Sequence, residues 1–298
     1  MTRSGFVSLT GRHNVGKSPL MTQILGEKVA ITSKKPQTTR KRIQGVYTDD
    51  QTQIVFIDTP GIHRAEHKLG EYMNEAATRT INDVDYVLFL VEAGMPRNPD
   101  LDIIKRFKKN HSAVILVINK VDTVGKDELI KSIDAFQSLY DFEEIVPVSA
   151  KTGQNVDELM KVIKARLPEG PFFFPEDMLT DQPERALCAE MIREKALKLM
   201  EREIPHGLAV TIETFGERDD KDIIDINATI ICEKASHKPI IIGKGGAMLK
   251  KIGTYAREDM ETLLVCKVNL QLWVKVKERW RDSDMLIKNY GFDKKELQ

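Results

Sequence analysis

The sequence predicts an α/β domain built on a mostly parallel sheet, followed by a separate α+β domain. Two observations carry the first part. Between Phe6 and about Leu167, nearly continuous aliphatic runs (54–57, 86–91, 114–118 and 145–148) alternate with helical stretches, the pattern of strands covered on both faces. A glycine-rich loop follows the first such run, where a parallel sheet carries its functional loops. The second part rests on period-two runs later in the chain, Leu208, Val210 and Ile212, then Ile224 to Ile230, then Val268 to Val276, which read as antiparallel strands of a half-covered sheet.

Composition limits what these domains can be. A chain of 298 residues with 41% hydrophobic content is long enough for two cores. Lys plus Arg equal Asp plus Glu at 45 each, so a contact with nucleic acid must come from a local patch rather than from net charge. Cys188, Cys232 and Cys266 are odd in number and widely spaced, which suits neither a disulfide framework nor zinc and points to a reducing, cytoplasmic compartment. No apolar stretch approaches the roughly 20 residues that span a bilayer.

After the first strand, Gly11-Arg12-His13-Asn14-Val15-Gly16-Lys17-Ser18 fits the phosphate-binding pattern G-x-x-x-x-G-K-[ST]. Its glycines let backbone N–H groups and the next helix's start converge on polyphosphate oxygens. Lys17 suits the β and γ oxygens, and Ser18 suits Mg²⁺. Three further polar clusters follow buried runs, namely Asp58-Thr59-Pro60-Gly61, Asn119-Lys120-Val121-Asp122 and Ser149-Ala150-Lys151. The Asp122 carboxylate can accept paired hydrogen bonds from the N1–H and N2–H₂ edge of guanine, which adenine lacks.

In this order the four clusters resemble the motifs of translation-factor-like GTPases. The resemblance implies GTP and GDP as ligands. It also implies that Asn119 tethers the base loop, that the Lys120 stem packs on the base, and that the Ala150 backbone meets the guanine O6. Asp58 would reach Mg²⁺ through water, and the Gly61 N–H would face the γ-phosphate. Between the first strands lies Thr32 to Arg40, a polar stretch where a switch loop belongs, and in families with T-T-R here the second threonine, Thr39, completes Mg²⁺ coordination. The catalytic set is then Lys17, Thr39 and Gly61, with Ser18, Thr39 and Asp58 on Mg²⁺. The second switch is expected over 62–72. Its Ile62 stands where Ras-like enzymes use a glutamine to orient water, which isoleucine cannot do. Asn14 matches the asparagine of potassium-activated relatives, so K⁺ is a second expected ion.

Two residues depart from the pattern. His13, where relatives usually have proline, reads as a surface substitution. Pro19 replaces the threonine of G-K-S-T, whose N–H, by resemblance, bonds an α-phosphate oxygen. Proline has no N–H. The alternative to a working GTPase is therefore an RNA-binding assembly factor whose nucleotide site is weakened by Pro19.

The first domain is expected over 1–168 and a proline-broken, ordered linker over 169–183. From 184 to 298 the second domain opens with a helix whose stripe is Leu187, Met191, Ile192, Ala196, Leu199 and Met200. Residues 240–253 contain Gly243-Lys244-Gly245-Gly246 with Lys250 and Lys251 behind, and resemble the KH signature I-I-G-x-x-G-x-x-[IL]-[KR]-x-I-G in its type II setting. Such a loop clamps the backbone of about four nucleotides. Lys275, Lys277, Arg279, Trp280 and Arg281 read either as an RNA-facing or membrane-surface patch or as a solvated helix with a buried Trp.

A GTPase domain followed by a type II KH domain, with Gln37-Thr38-Thr39-Arg40 in the switch, resembles the Era family over nearly the whole chain. That resemblance implies a monomeric cytoplasmic GTPase that binds the 3′ region of small-subunit ribosomal RNA and assists maturation of the 30S subunit, with peripheral inner-membrane association in some members.

Overall fold

The computed structural model describes all residues except 34, 36, 37, 62–64, 201–206, 219, 220, 294 and 296–298. The chain divides into two compact units. The first comprises 1–32, 39–65 and 70–181, and the second 33–38, 66–69 and 182–298.

In the first unit the strands are β1 (Arg3–Thr10), β2 (Ile43–Thr48), β3 (Thr52–Asp58), β4 (Tyr86–Glu92), β5 (Val114–Asn119) and β6 (Glu144–Pro147). Their order in the sheet is β2-β3-β1-β4-β5-β6, and every pairing is parallel except β2 with β3. The helices are α1 (Lys17–Leu25), α2 (Lys68–Asn82, in this unit from Gly70 on), α3 (Asn98–Asn110), α4 (Lys126–Gln137) and α5 (Val156–Arg166).

Alternation along the strands builds a three-layer sandwich. Leu88, Leu90, Ile115 and Val117 join Leu20 and Met21 of α1 and Leu159 and Ile163 of α5 in one cluster. Val87, Phe89, Val91, Leu116 and Ile118 join Ile103 and Phe107 of α3 and Phe136 of α4 in the other. With both faces covered, β4 and β5 are buried along their whole apolar length, which is why they read as continuous hydrophobic runs.

Residues 169–181 pack on this unit. The backbone N–H groups of Phe173 and Phe174 donate to Gln53 Oε1 at 2.7 and 2.9 Å, the Phe173 ring lies 4.8 Å from that of Phe6, and Thr180 Oγ1 donates to the Gln44 carbonyl at 2.6 Å.

The second unit contains α6 (Glu184–Leu199), β7 (Ala209–Arg218), β8 (Lys221–Cys232), α7 (His237–Ile242), α8 (Ala247–Leu264), β9 (Lys267–Val276) and α9 (Asp284–Asn289). Its sheet order is β7-β8-β9. β7 and β8 are antiparallel as expected, but β9 runs parallel to β8. The expectation of an all-antiparallel sheet fails there because α7 and α8 carry the chain back over the sheet between the two strands, a crossover that returns β9 in the same direction. One face is covered by Met191, Ile192 and Ala196 of α6 and Ile252, Ala256 and Met260 of α8, packed on Ile226, Ala228 and Ile230 of β8. α6 also buries Arg193 and Glu194, which sequence periodicity assigns to its polar side. Among the described residues, no helix is long and apolar enough to cross a membrane.

Candidate nucleotide site and KH loop

All four sequence clusters lie at the carboxyl ends of strands in the first unit, β1, β3, β5 and β6. The loop 11–16 is a tight turn with Asn14 at φ 64° and Gly16 at φ 102°. Gly16 is the N-cap of α1 and accepts the first in-helix bond, from Leu20 N at 2.9 Å. The amides of Lys17 and Ser18 are thereby left to the helix's positive end. Lys17 curls back into the bend, and its Nζ donates to the Gly11 and Arg12 carbonyls at 3.1 Å each. Burial pushes the Lys17 ammonium down from its ordinary value, against the attraction of Asp58. Val15 is fully buried, whereas His13 and Asn14 are exposed.

Beside this loop stand three oxygens. Ser18 Oγ donates to Asp58 Oδ2 at 2.6 Å, Thr39 Oγ1 donates to the same atom at 3.1 Å, and the two hydroxyls are 3.0 Å apart. Asp58 is wholly buried, and its Oδ1 has no hydrogen-bond partner. Burial pushes the Asp58 carboxyl up, with Lys17 and the two hydroxyls pulling the other way. An orphaned buried carboxylate oxygen flanked by two hydroxyls is an all-oxygen donor set of the kind that suits Mg²⁺. Thr59 is anchored by its hydroxyl to the Leu9 carbonyl at 2.8 Å, Pro60 is buried, and the Gly61 Cα lies so near the phosphate loop that a Cβ there would stand 2.9 Å from His13 N. Ile62 lies outside the described residues.

The base-side loops converge through Asn119. Its Nδ2 donates to the Val15 carbonyl at 2.8 Å, and its Oδ1 accepts from Lys120 N at 2.8 Å and Ala150 N at 2.9 Å. One side chain thus binds three of the four clusters together. Ser149 Oγ donates to Asp122 Oδ1 at 2.6 Å and accepts from Thr152 N at 3.2 Å, while Asp122 and Lys151 face solvent.

Residues 6–120 match the family described as 50S ribosome-binding GTPase, and residues 203–281 match the KH domain family. The chain is 54% identical over 297 residues to GTPase Era of Clostridioides difficile, covering 99% of this chain and all of that one, and 53% identical over 291 residues to GTPase Era of Ruminiclostridium cellulolyticum, covering 97% of each. The chain belongs to the Era family of GTPases. Two solved Era structures match it at 41% identity, over 98% of this chain and 99% of theirs. One is an Aquifex aeolicus Era variant bound to GDP and AlF₄⁻, with a TM-score of 0.94. The other is Era in complex with MgGDPNP and nucleotides 1506–1542 of 16S ribosomal RNA, with a TM-score of 0.95.

The second hallmark of an Era chain lies in the other unit. α7 ends at Ile242, Gly243 turns with φ 74°, residues 244–246 form one tight turn, and α8 starts at Ala247. A Cβ on Gly243 would come within 2.8 Å of Met248 N, so only glycine lets the loop fold back over the helix start. Lys244, Gly245, Lys250 and Lys251 are exposed and Gly246 is half-buried, while Ile252 anchors α8 in the core. Trp280 is fully buried and Arg281 pairs with Glu233 at 2.5 Å, so the Trp is buried, but Lys275 lies on β9 and 280–282 form one short 3₁₀ turn in place of the expected helix.

Sequence reasoning missed Glu92, the last residue of β4, which bonds both Arg12 of the phosphate loop and Lys120 of the base loop. A single acid after a strand has no spacing signature, and only the fold brings it between two motifs.

Proposed function

We propose that this chain is a GTP-hydrolysing switch whose KH loop grips the 3′ region of small-subunit ribosomal RNA and which assists maturation of the 30S subunit. The observation that carries the nucleotide half is Asn119, which joins the phosphate, N-K-x-D and S-A-K loops in one hydrogen-bonded group. The RNA half is supported by the Gly243 to Gly246 turn at the start of α8, and by the Era structure solved with a 16S ribosomal RNA fragment.

In this reading Lys17, held at the bend of the loop, meets the β- and γ-phosphates, and Asp122 selects guanine, with the Ala150 N–H shared between Asn119 Oδ1 and the guanine O6. Ser18, Thr39 and Asp58 would hold Mg²⁺, which when bound supplies positive charge beside the phosphates. Gly61, close against the loop, offers its N–H to the γ-phosphate. Asn14, exposed at the loop's tip, would hold K⁺, whose charge would stand in for an arginine finger. The chain acts as a monomer in this reading. Peripheral contact with the inner membrane would rest on the charges of the exposed Lys275, Lys277 and Arg279 alone, because Trp280 is buried and has no ring to offer a bilayer surface.

Fluorescent GDP, GTP and ATP titrated with Mg²⁺, followed by turnover in K⁺ and Na⁺ buffers, test the nucleotide half. Guanine-selective binding with faster turnover in K⁺ is expected. Binding of ATP as tight as GTP overturns the guanine reading, and equal turnover in the two salts removes the K⁺ site. An RNA oligonucleotide from the 3′ end of 16S ribosomal RNA should bind this chain and lose affinity on Gly243→Asp.

A further inference from the structure

Glu92 ends β4, opposite Asn119 of β5 in the strand register, and its side chain is mostly buried at 21% exposure. Its two oxygens serve two loops. Oε1 accepts from Lys120 Nζ and Oε2 from Arg12 Nη2, with Arg97 Nη2 at 4.0 Å from Oε2. Arg12 is steadied from the other side, since its Nε lies 3.4 Å from Oδ1 of Asp100, a buried residue at the start of α3 that accepts from Arg97 N at 3.0 Å. Burial alone would raise the Glu92 carboxyl, but the bonds from Lys120 and Arg12 win and hold it below its ordinary range.

We propose that Glu92 is a positioning residue for the guanine nucleotide, fixing the Lys120 stem along the base and Arg12 in the phosphate loop so that the two loops close on the ligand together. The inference rests on the nucleotide-binding reading given above. Lys120 leaves the backbone at φ 65°, so its stem is directed by where its ammonium is anchored, and Glu92 is that anchor. The Asn119 bond to Val15 joins the same two loops through main chain. Glu92 joins them through charge, and it does so through the one lysine that the base rests on. Without the carboxylate, Arg12 and Lys120 are left as neighbouring cations with no shared counter-charge, and charge-assisted bonds of this kind hold geometry more firmly than neutral ones. Because changes at a single interface act mostly on dissociation, the effect belongs in nucleotide release.

The test is stopped-flow release of methylanthraniloyl-GDP from the full chain and from Glu92→Gln, Glu92→Asp, Lys120→Met and the Glu92→Gln/Lys120→Met double variant. Glu92→Gln is expected to release about tenfold faster or more with association changed little. Glu92→Asp, one methylene too short to reach both cations, should fall between. The double variant should release faster than Lys120→Met, through the lost Arg12 bond, but by clearly less than the product of the two single effects, an interaction that general loss of stability would not produce. Release from Glu92→Gln within twofold of the unaltered chain overturns the proposal, as do effects of the two substitutions that multiply. Should Glu92→Gln fail to fold, Glu92→Asp in the same cycle with Lys120→Met decides between these outcomes. If the unaltered chain binds no GDP, it is the nucleotide reading that fails, not the role of Glu92 within it.

Discussion

Gly16 makes room for Asn119. A Cβ at position 16 would stand 2.2 Å from Asn119 Nδ2, the atom that donates to the Val15 carbonyl at 2.8 Å. The second glycine of the phosphate loop is thus required twice, by its left-handed φ of 102° and by the amide that reaches across it to the base loop. Gly16→Ala should abolish nucleotide binding. Asn119→Ala deletes three hydrogen bonds and strands two buried groups, so it should destabilise the chain by about 2–4 kcal/mol in urea unfolding while weakening GDP binding. A stable Asn119→Ala that binds GDP normally would show that the loops do not depend on this bond.

Pro19 is the third residue of α1, inside the turn whose amides point toward the phosphates. Sterically it fits, since the first in-helix donor is Leu20, but one donor is missing from the site. Pro19→Thr should raise GDP and GTP affinity about tenfold to a hundredfold, the worth of one hydrogen bond to a charged group. Pro19→Ala should share the gain, because the N–H rather than the hydroxyl supplies it. Unchanged affinity in both would mean that the phosphates do not use this amide. No binding by this chain together with binding by Pro19→Thr would instead favour an RNA-binding factor with a disabled site.

Strands β3, β4 and β5 are legible in sequence because two buried faces leave an apolar run with no polar alternation to confuse the pattern, and β1 is legible from the glycine-rich loop that follows it. β2 is not, since Ile-Gln-Gly-Val-Tyr-Thr is an edge strand of mixed burial with a glycine in it, so neither period stands out. In the second unit the period of two finds the strands but is blind to their direction, and β9 needed the intervening helices to be counted as a crossover. The site shows the same division. Loops with fixed spacing, such as Gly11 to Ser18, announce themselves, whereas Glu92 matters only through partners that lie 80 and 28 positions away in sequence.

Asp225 on β8 offers a titration. Arg218 of β7 donates to it twice, at 2.6 and 2.8 Å, and Asn269 of β9 once at 2.6 Å, so the three strands are tied on the sheet's open face. The Arg218 bonds and then the Asn269 bond hold its carboxyl down at about 2, against an ordinary value of 3.8. A depressed carboxylate stabilises the fold above its unfolded value and loses that contribution as pH falls through the folded one. Carboxyl ¹³C NMR should therefore find Asp225 ionised at pH 3, and Arg218→Met should return its midpoint toward 3.8. A midpoint near 3.8 in the unaltered chain would mean that these bonds do not persist in solution.

Trp280 is buried without exposure, donates Nε1–H to the Gly207 carbonyl at 2.9 Å, and packs between Tyr290 at 5.4 Å and Phe292 at 6.3 Å. Trp280→Phe removes the donor, leaves that carbonyl unpaired and opens a void where the larger ring lay. The cost should be about 2–4 kcal/mol, seen as a lower urea midpoint by circular dichroism. Fluorescence gives an independent readout. The chain has two tryptophans, and the other, Trp273, is 50% exposed, so the variant's emission should shift to the red of the unaltered chain's. Emission unchanged in position, with an unchanged urea midpoint, would place the Trp280 ring in solvent and return this segment to the surface-patch reading.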